Sequence, residues 1–164
     1  MSKNFWHDIE TGGDVPEIIN VIVEIPKGSM NKYEYDKKHN MIKLDRVLFS
    51  PFHYPGDYGL IPQTLSEDGD PLDALVLVTN PTYPGILIES RPIGLLEMKD
   101  DGEPDDKIIC VSTNDPRYLH TSDIENIEDH YRSEIAHFFQ VYKELEGKKV
   151  EIIGWKDAKD AKKV

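Results

Sequence analysis

The chain has 164 residues, 38% of them hydrophobic, and a formal net charge of −12 because 31 acidic residues outnumber 19 Lys and Arg residues. This length fits one domain spanning residues 1–164, the acidic balance argues against a nucleic-acid surface, and no apolar run approaches the roughly 20 residues of a membrane span. The N-terminus lacks a secretory signal and the single cysteine, Cys110, excludes an intrachain disulfide, so a cytoplasmic protein with a buried structural thiol is expected.

The first two predicted strands both carry charges that need an explanation. Ile18–Ile25 is a β-branched run that contains Glu24. This acid either lies on the exposed face of an edge strand or belongs to a site, and the pattern leaves both open. In the next strand, residues 32–36, Lys32 and Glu34 share one face. Aromatic residues packed inward with charges outward explain that strand without any function.

The third predicted strand, Met41–Phe49, places Arg46 on one face with three aliphatic residues. A buried guanidinium needs a partner. Either a bulge turns Arg46 outward, or its planar fork binds phosphate oxygens. The aromatic loop at residues 50–62 follows, with three prolines and two glycines that make it stiff.

An acidic turn over Glu67–Asp73 precedes the predicted strand Leu75–Thr79. Asp68, Asp70 and Asp73 lie at positions i, i+2 and i+5, so they crowd many carboxylate oxygens into a small volume. Left alone they would repel one another, whereas a divalent cation would convert that repulsion into binding. The turn therefore predicts a metal site.

A second acidic cluster over Glu97–Asp106 precedes the predicted strand Ile108–Val111. A solvated hairpin tip is the common meaning of such a run. Because both clusters lead directly into strands, we expect them to converge at the same rim of a sheet. Upstream, Ile86–Met98 is interrupted by Pro92 and Gly94, which predicts two short strands or one bent strand.

One long helix is predicted in the last third of the chain. Ser122 or Asp123 is a suitable N-cap, and Gly147 is a good C-terminal stop. Val150–Trp155 is predicted as a last strand, and Lys156–Val164 as a short charged helix. Steps of three and four between apolar residues mark one helix face: Ile124, Ile127, Tyr131, Ile135, Phe138, Tyr142 and Leu145.

Several common functional motifs are absent from the sequence. The chain has no Gly-rich nucleotide loop, no H-E-x-x-H and no cysteine cluster. The candidate metal ligands are carboxylates only, which favours the hard cations Mg²⁺ and Mn²⁺ over zinc.

The acidic turn and its neighbours together resemble soluble family I inorganic pyrophosphatase. The short signature is Asp68-Gly69-Asp70-Pro71-Leu72-Asp73, and further matches follow in the right order over residues 16–157. The resemblance implies an α+β, mainly β fold: a twisted five-stranded OB-like barrel with one long and one short flanking helix. It also implies Mg²⁺-dependent hydrolysis of inorganic diphosphate, with several Mg²⁺ ions per site and Mn²⁺ as a possible substitute. The implied assembly is a homohexamer.

The same resemblance implies a role for each matching residue. The principal metal ligands are Asp68, Asp73 and Asp105, and groups for further metals are Asp100 and Glu34. Asp70 would take the proton from the attacking water, and Glu24 is a further acid of the site. The phosphate-binding groups are Lys32, Arg46, Tyr58, Lys107, Tyr142 and Lys143, and Tyr54 is expected to line the pocket.

The sequence departs from the family pattern at two places, and two other functions remain open. Gly56-Asp57 replaces other residues of the tyrosine loop, and Val141 stands where some relatives carry an interface histidine, which leaves the subunit contacts open. An acidic module that binds calcium or a partner without turnover is the second hypothesis, and a hydrolase of larger phosphoanhydrides is the third. The separate set of lysines and Arg46 argues against a simple cation buffer.

Overall fold

The computed structural model describes residues 3–164. The strands are β1 (Ile19–Ile25), β2 (Asn31–Asp36), β3 (Met41–Val47), β4 (Asp57–Leu60), β5 (Asp73–Leu77), β6 (Leu87–Asp100), β7 (Glu103–Pro104), β8 (Lys107–Ser112) and β9 (Val150–Asp157). The α-helices are α1 (Asp129–Val141) and α2 (Ala158–Lys163).

Five strands close into a ring in the order β1, β4, β5, β8 and β6, with β6 pairing back onto β1. Only the β5–β8 pair within this ring is parallel. The last strand, β9, pairs with the far end of β6, and β2 and β3 form a separate hairpin. The predicted mainly-β, five-stranded OB-like barrel with one long and one short helix is therefore confirmed.

Apolar side chains are buried on both faces of the barrel strands. In β5, Leu75 and Leu77 pack with the buried face of α1, whereas Ala74 and Val76 belong to the cluster on the opposite face. Cys110 lies in that second cluster, and burial raises the pKa of its thiol above the ordinary value. The expectation of a buried structural cysteine is confirmed.

The interrupted segment after residue 86 is one bent strand, β6, of 14 residues. Its register against β8 shifts between Pro92 and Gly94, which is where the strand bends. A Cβ on Gly94 would lie 2.7 Å from the Cβ of Ile124, so the bend also brings the strand against the segment before α1. Of the two predicted alternatives, the bent strand is correct.

The prediction of one helix running to Gly147 is wrong at both ends. The α-helix covers only α1, and separate 3₁₀ turns lie at Ile124–Asn126 and Glu144–Glu146. A 3₁₀ turn also places residues i and i+3 on one side, so it continued the apolar pattern without being part of the helix. Asp123 caps the first of these turns, and Leu145 in the second is 68% exposed rather than on the core face.

Candidate active site

A cavity of about 400 Å³ lies at the end of the barrel where β5 and β8 begin and β6 ends. Both acidic segments contribute to its wall, so the predicted convergence on one rim is confirmed. The predicted site residues that line the cavity are Glu24, Lys32, Glu34, Tyr58, Asp68, Asp70, Asp73, Asp100, Asp105, Lys107, Tyr142 and Lys143.

Lys107 lies at the centre of this wall because β5 and β8 start side by side. The parallel pairing sets Asp73 directly opposite Lys107. The Lys107 Nζ donates to Asp73 Oδ2, Asp105 Oδ1 and the Tyr58 hydroxyl, each at 2.9 Å. The side chain is 2% exposed. Burial alone would lower the pKa of Lys107, but the carboxylates of Asp73 and Asp105 outweigh it and raise the pKa above the ordinary value.

The acidic turn is shaped by its own hydrogen bonds. Asp68 Oδ1 accepts from the Asp70 N–H at 2.9 Å and from the Ser66 hydroxyl. The Ser66 hydroxyl also lies 3.0 Å from the Asp70 carbonyl oxygen, which accepts the Ser66 N–H at 2.8 Å. Burial raises the pKa of Asp68, but these donors outweigh it and hold the pKa below the ordinary value. The Asp68 carboxylate is thus ionised and held in place.

The second acidic segment faces the end of α1. Lys143, just after the helix, forms an ion pair with Asp100 Oδ2. The other oxygen of that carboxylate, Asp100 Oδ1, is buried and has no hydrogen-bond partner among residues 3–164. Asp105 is anchored by its N–H, which donates to the Met98 carbonyl at 2.9 Å, and burial raises the pKa of its carboxyl.

Glu24 enters the cavity through a β-bulge. The register between β1 and β4 shifts between Val23 and Ile25, so Glu24 is the extra residue. Because β1 pairs with β4 on one side and β6 on the other, the edge-strand explanation is excluded. The Glu24 carboxylate accepts the Tyr35 N–H at 2.7 Å, and burial raises its pKa to about 8.

Lys32 and Glu34 reach the cavity from the β2–β3 hairpin. The Lys32 ammonium lies 3.2 Å from Asp45 Oδ2 and 3.5 Å from Glu34 Oε2. A chain of ion pairs continues from Asp45 through Arg46 to Glu146, whose Oε1 is 2.8 Å from the Arg46 Nη2. The hairpin therefore brings both signs of charge to the rim.

Two predicted site residues do not line the cavity. Arg46 follows a register shift in the hairpin and pairs with Asp45 and Glu146 behind the rim. Tyr54, expected to line the pocket, is 2% exposed and lies behind the wall. Its ring packs 5.6 Å from Tyr58 and 4.8 Å from Phe138, so it supports the residues that face the cavity.

Lys37 and Lys148 line the cavity although the sequence did not single them out. The Lys37 Nζ is 2.6 Å from Asp70 Oδ1 and lies over the ring of Trp6. This contact joins three segments that are distant in sequence. No local pattern signals it, because Lys37 and Trp6 are far in sequence from the acidic turn that contains Asp70.

The carboxylates that line the cavity are suitable ligands for a hard divalent cation. No three His, Cys, Asp or Glu side chains within residues 3–164 form a ready-made cation cage, since lysine ammonium groups lie between or beside the carboxylates. All candidate donors are nevertheless oxygen atoms, which Mg²⁺ prefers. The buried, unpartnered Asp100 Oδ1 is available as a ligand without loss of a hydrogen bond.

In the part of the chain that the structure describes, no helix is long and apolar enough to cross a membrane.

Comparison with known proteins agrees with the resemblance seen in the sequence. The family model described as inorganic pyrophosphatase matches residues 21–164. Inorganic pyrophosphatase from Halobacterium salinarum is 53% identical over 160 residues, covering 97% of this chain and 90% of that protein. Inorganic pyrophosphatase from Synechocystis is 56% identical over 140 residues, covering 85% of this chain and 83% of that protein.

The fold comparison agrees with the sequence comparison. The crystal structure of inorganic pyrophosphatase from Thermus thermophilus superposes with a TM-score of 0.95 at 47% identity, covering 98% of this chain and 94% of that one. All residues that line the cavity, and both α-helices, fall within residues 21–164 that match the family model. The chain belongs to the inorganic pyrophosphatase family.

Proposed function

We propose that the chain hydrolyses inorganic diphosphate to two phosphates in a reaction that depends on Mg²⁺. The observation that carries the proposal is one cavity in which two acidic segments face lysine and tyrosine side chains. Diphosphate is a small polyanion, so it needs cationic groups on its oxygens and a group that accepts the proton of the attacking water.

The carboxylates would hold the cations. Asp68, Asp73 and Asp105 are proposed as the principal ligands, with Asp100 and Glu34 for further ions. Several Mg²⁺ ions per site are expected, and Mn²⁺ is a possible substitute because it also accepts hard oxygen ligands. When bound, such ions supply Lewis-acid stabilisation to the diphosphate oxygens and to the attacking water.

The side chains between the acids would bind the substrate. The Lys107 ammonium is fixed by three hydrogen bonds, so it offers a positive charge at a defined position with little reorganisation. Lys32, Lys143, Tyr58 and Tyr142 add donors around it. Arg46, behind the rim, can contribute to phosphate binding only by leaving Glu146 or through the field of its charge.

Asp70 is proposed to accept the proton of the attacking water. Its side chain is 59% exposed at the cavity, unlike the more deeply set metal-binding candidates Asp73 and Asp105. An exposed carboxylate of the acidic turn can contact a water in the cavity and accept its proton. Glu24, with its raised pKa, is suited to hold a proton within the same cavity.

The assembly and location are also proposals. A homohexamer in the cytoplasm is inferred from the resemblance, and exposed apolar side chains such as Met41, Val47 and Phe49 provide surface for self-association. Light scattering coupled to size-exclusion chromatography tests this: the mass of six chains supports it, and the mass of one chain contradicts it.

Phosphate release from diphosphate tests the function. We expect turnover with Mg²⁺ and none with EDTA, and Asp70→Asn should lower kcat by about 10²–10⁴-fold. Asp129→Asn, an exposed carboxylate on α1, is the matched control and should retain the full rate. An unaltered rate in Asp70→Asn would remove Asp70 from the proton-accepting role, and cation binding without turnover would favour the acidic-module hypothesis.

A further inference from the structure

We propose that Lys37 is a positioning residue that aims the Asp70 carboxylate, and that the N-terminal Trp6 holds Lys37 in place. This inference rests on the proposed function, because it assigns Asp70 the proton-accepting role. It adds to the site a lysine and an aromatic ring that the sequence motifs do not contain.

The backbone of Asp70 is well fixed, but its side chain is not. The carbonyl oxygen of Asp70 accepts from the Ser66 N–H, and its N–H donates to Asp68 Oδ1. Within residues 3–164, Lys37 is the one group that hydrogen-bonds the Asp70 carboxylate, at 2.6 Å. Since that carboxylate is 59% exposed, Lys37 decides which way it points.

Lys37 is itself held by an aromatic surface. It lies in the turn between β2 and β3, and its Nζ is 4.6 Å from the Trp6 ring centroid. A cation over an indole face is attracted by the ring, which restricts an otherwise flexible side chain. Trp6 is anchored in turn: its Nε1–H donates to the Thr64 carbonyl at 2.7 Å, and its carbonyl accepts the Gln63 N–H at 2.7 Å.

Thr64, which anchors Trp6, also contacts the acidic turn. Thr64 Oγ1 accepts the N–H of Leu72 at 2.9 Å, at the far end of that turn. The N-terminal segment, the hairpin and the acidic turn are therefore tied together around the Lys37–Asp70 contact. Trp6 lies in the N-terminal segment, outside the 21–164 region that matches the family model.

Kinetics separate positioning from substrate binding. Lys37→Met removes the charge and keeps the side-chain bulk, and we expect kcat to fall by about two- to fivefold, the range of an exposed ion pair, while KM changes less. Lys37→Arg should restore most of kcat. Lys38→Met, the neighbour in the same turn, is the matched control. A rise in KM with kcat unchanged would overturn the proposal in favour of direct substrate binding.

A double-mutant cycle shows whether Lys37 acts through Asp70. In the Asp70→Asn background, Lys37→Met should have no further effect on the residual kcat. If Lys37→Met lowers kcat by the same factor with and without Asp70, the two residues act independently and the proposal fails.

Fluorescence tests the same link without turnover. The chain has two tryptophans, so Trp155→Phe leaves Trp6 as the only reporter. Asp70→Asn releases the Lys37 ammonium and should change the Trp6 emission when Lys37 is present but not in Lys37→Met. An equal change in both backgrounds would contradict the link. Absence of phosphate release by the unmutated chain would instead refute the proposed function. The fluorescence cycle would still show whether Asp70 acts on Trp6 through Lys37.

Discussion

Lys107 is buried between two carboxylates, so its removal should cost stability as well as activity. Lys107→Met keeps the length of the side chain but leaves Asp73 and Asp105 facing each other without the ammonium, and it deprives the Tyr58 hydroxyl of a donor. Breaking a fully buried ion pair costs about 3–5 kcal/mol. Asp73 and Asp105 retain 30% and 20% side-chain exposure, so water compensates part of this loss. We expect the free energy of unfolding to fall by about 2–3 kcal/mol.

Urea unfolding in EDTA measures this difference directly, since no divalent cation can then replace the ammonium. The folded-state pKa of Lys107 is raised, so its contribution is fully present below the ordinary lysine pKa and is lost only as the pH rises through the higher folded value. The deficit of Lys107→Met should therefore be constant between about pH 7 and 9. Lys156→Met, whose exposed ammonium is 3.5 Å from Glu97, is the matched control and should change little. A loss below about 1 kcal/mol in Lys107→Met would refute the account of a central buried ion pair.

Three further predictions concern the walls of the cavity and the barrel. Glu24 has a pKa raised to about 8, so its contribution to stability is fully present below about pH 4.5 and is lost as the pH rises through about 8. Urea unfolding in EDTA should therefore show the free energy of unfolding of Glu24→Gln rising relative to that of the unmutated chain between these pH values, by at most about 5 kcal/mol. A pH-independent difference would contradict this prediction. Ser66→Ala removes a donor from Asp68 and should weaken Mg²⁺ binding about tenfold by calorimetric titration, whereas unchanged affinity would exclude a positioning role for the hydroxyl. Gly59→Ala would place a Cβ 2.0 Å from the Ile22 carbonyl oxygen and should destabilise the barrel by about 1–3 kcal/mol or more in thermal unfolding; equal stability would show that β1 and β4 can separate there.

Much of the barrel could be predicted because its strands are short β-branched runs with clear punctuation. The acidic turn could be predicted as a metal site because three aspartates within six residues repel one another unless they bind a cation. The helix limits could not be predicted, since apolar steps of three and four do not distinguish α1 from the 3₁₀ turns beside it.

The orientation of single charges depended on bulges that the sequence does not mark. The bulge at Glu24 turns an acid from a central strand into the cavity, and the one in the hairpin carries Arg46 towards Glu146 instead. Long-range contacts were equally hidden. The Lys37–Asp70 contact depends on how the hairpin folds over the acidic turn, which no local spacing encodes.

Phosphorus NMR on a mixture of diphosphate and a nucleoside triphosphate tests the central claim most directly. With Mg²⁺ present, we predict that the diphosphate signal disappears and that two phosphates form for each diphosphate consumed, while the triphosphate persists; EDTA should stop the conversion. Diphosphate that remains intact in the presence of Mg²⁺, or a triphosphate that is consumed first, would contradict the account.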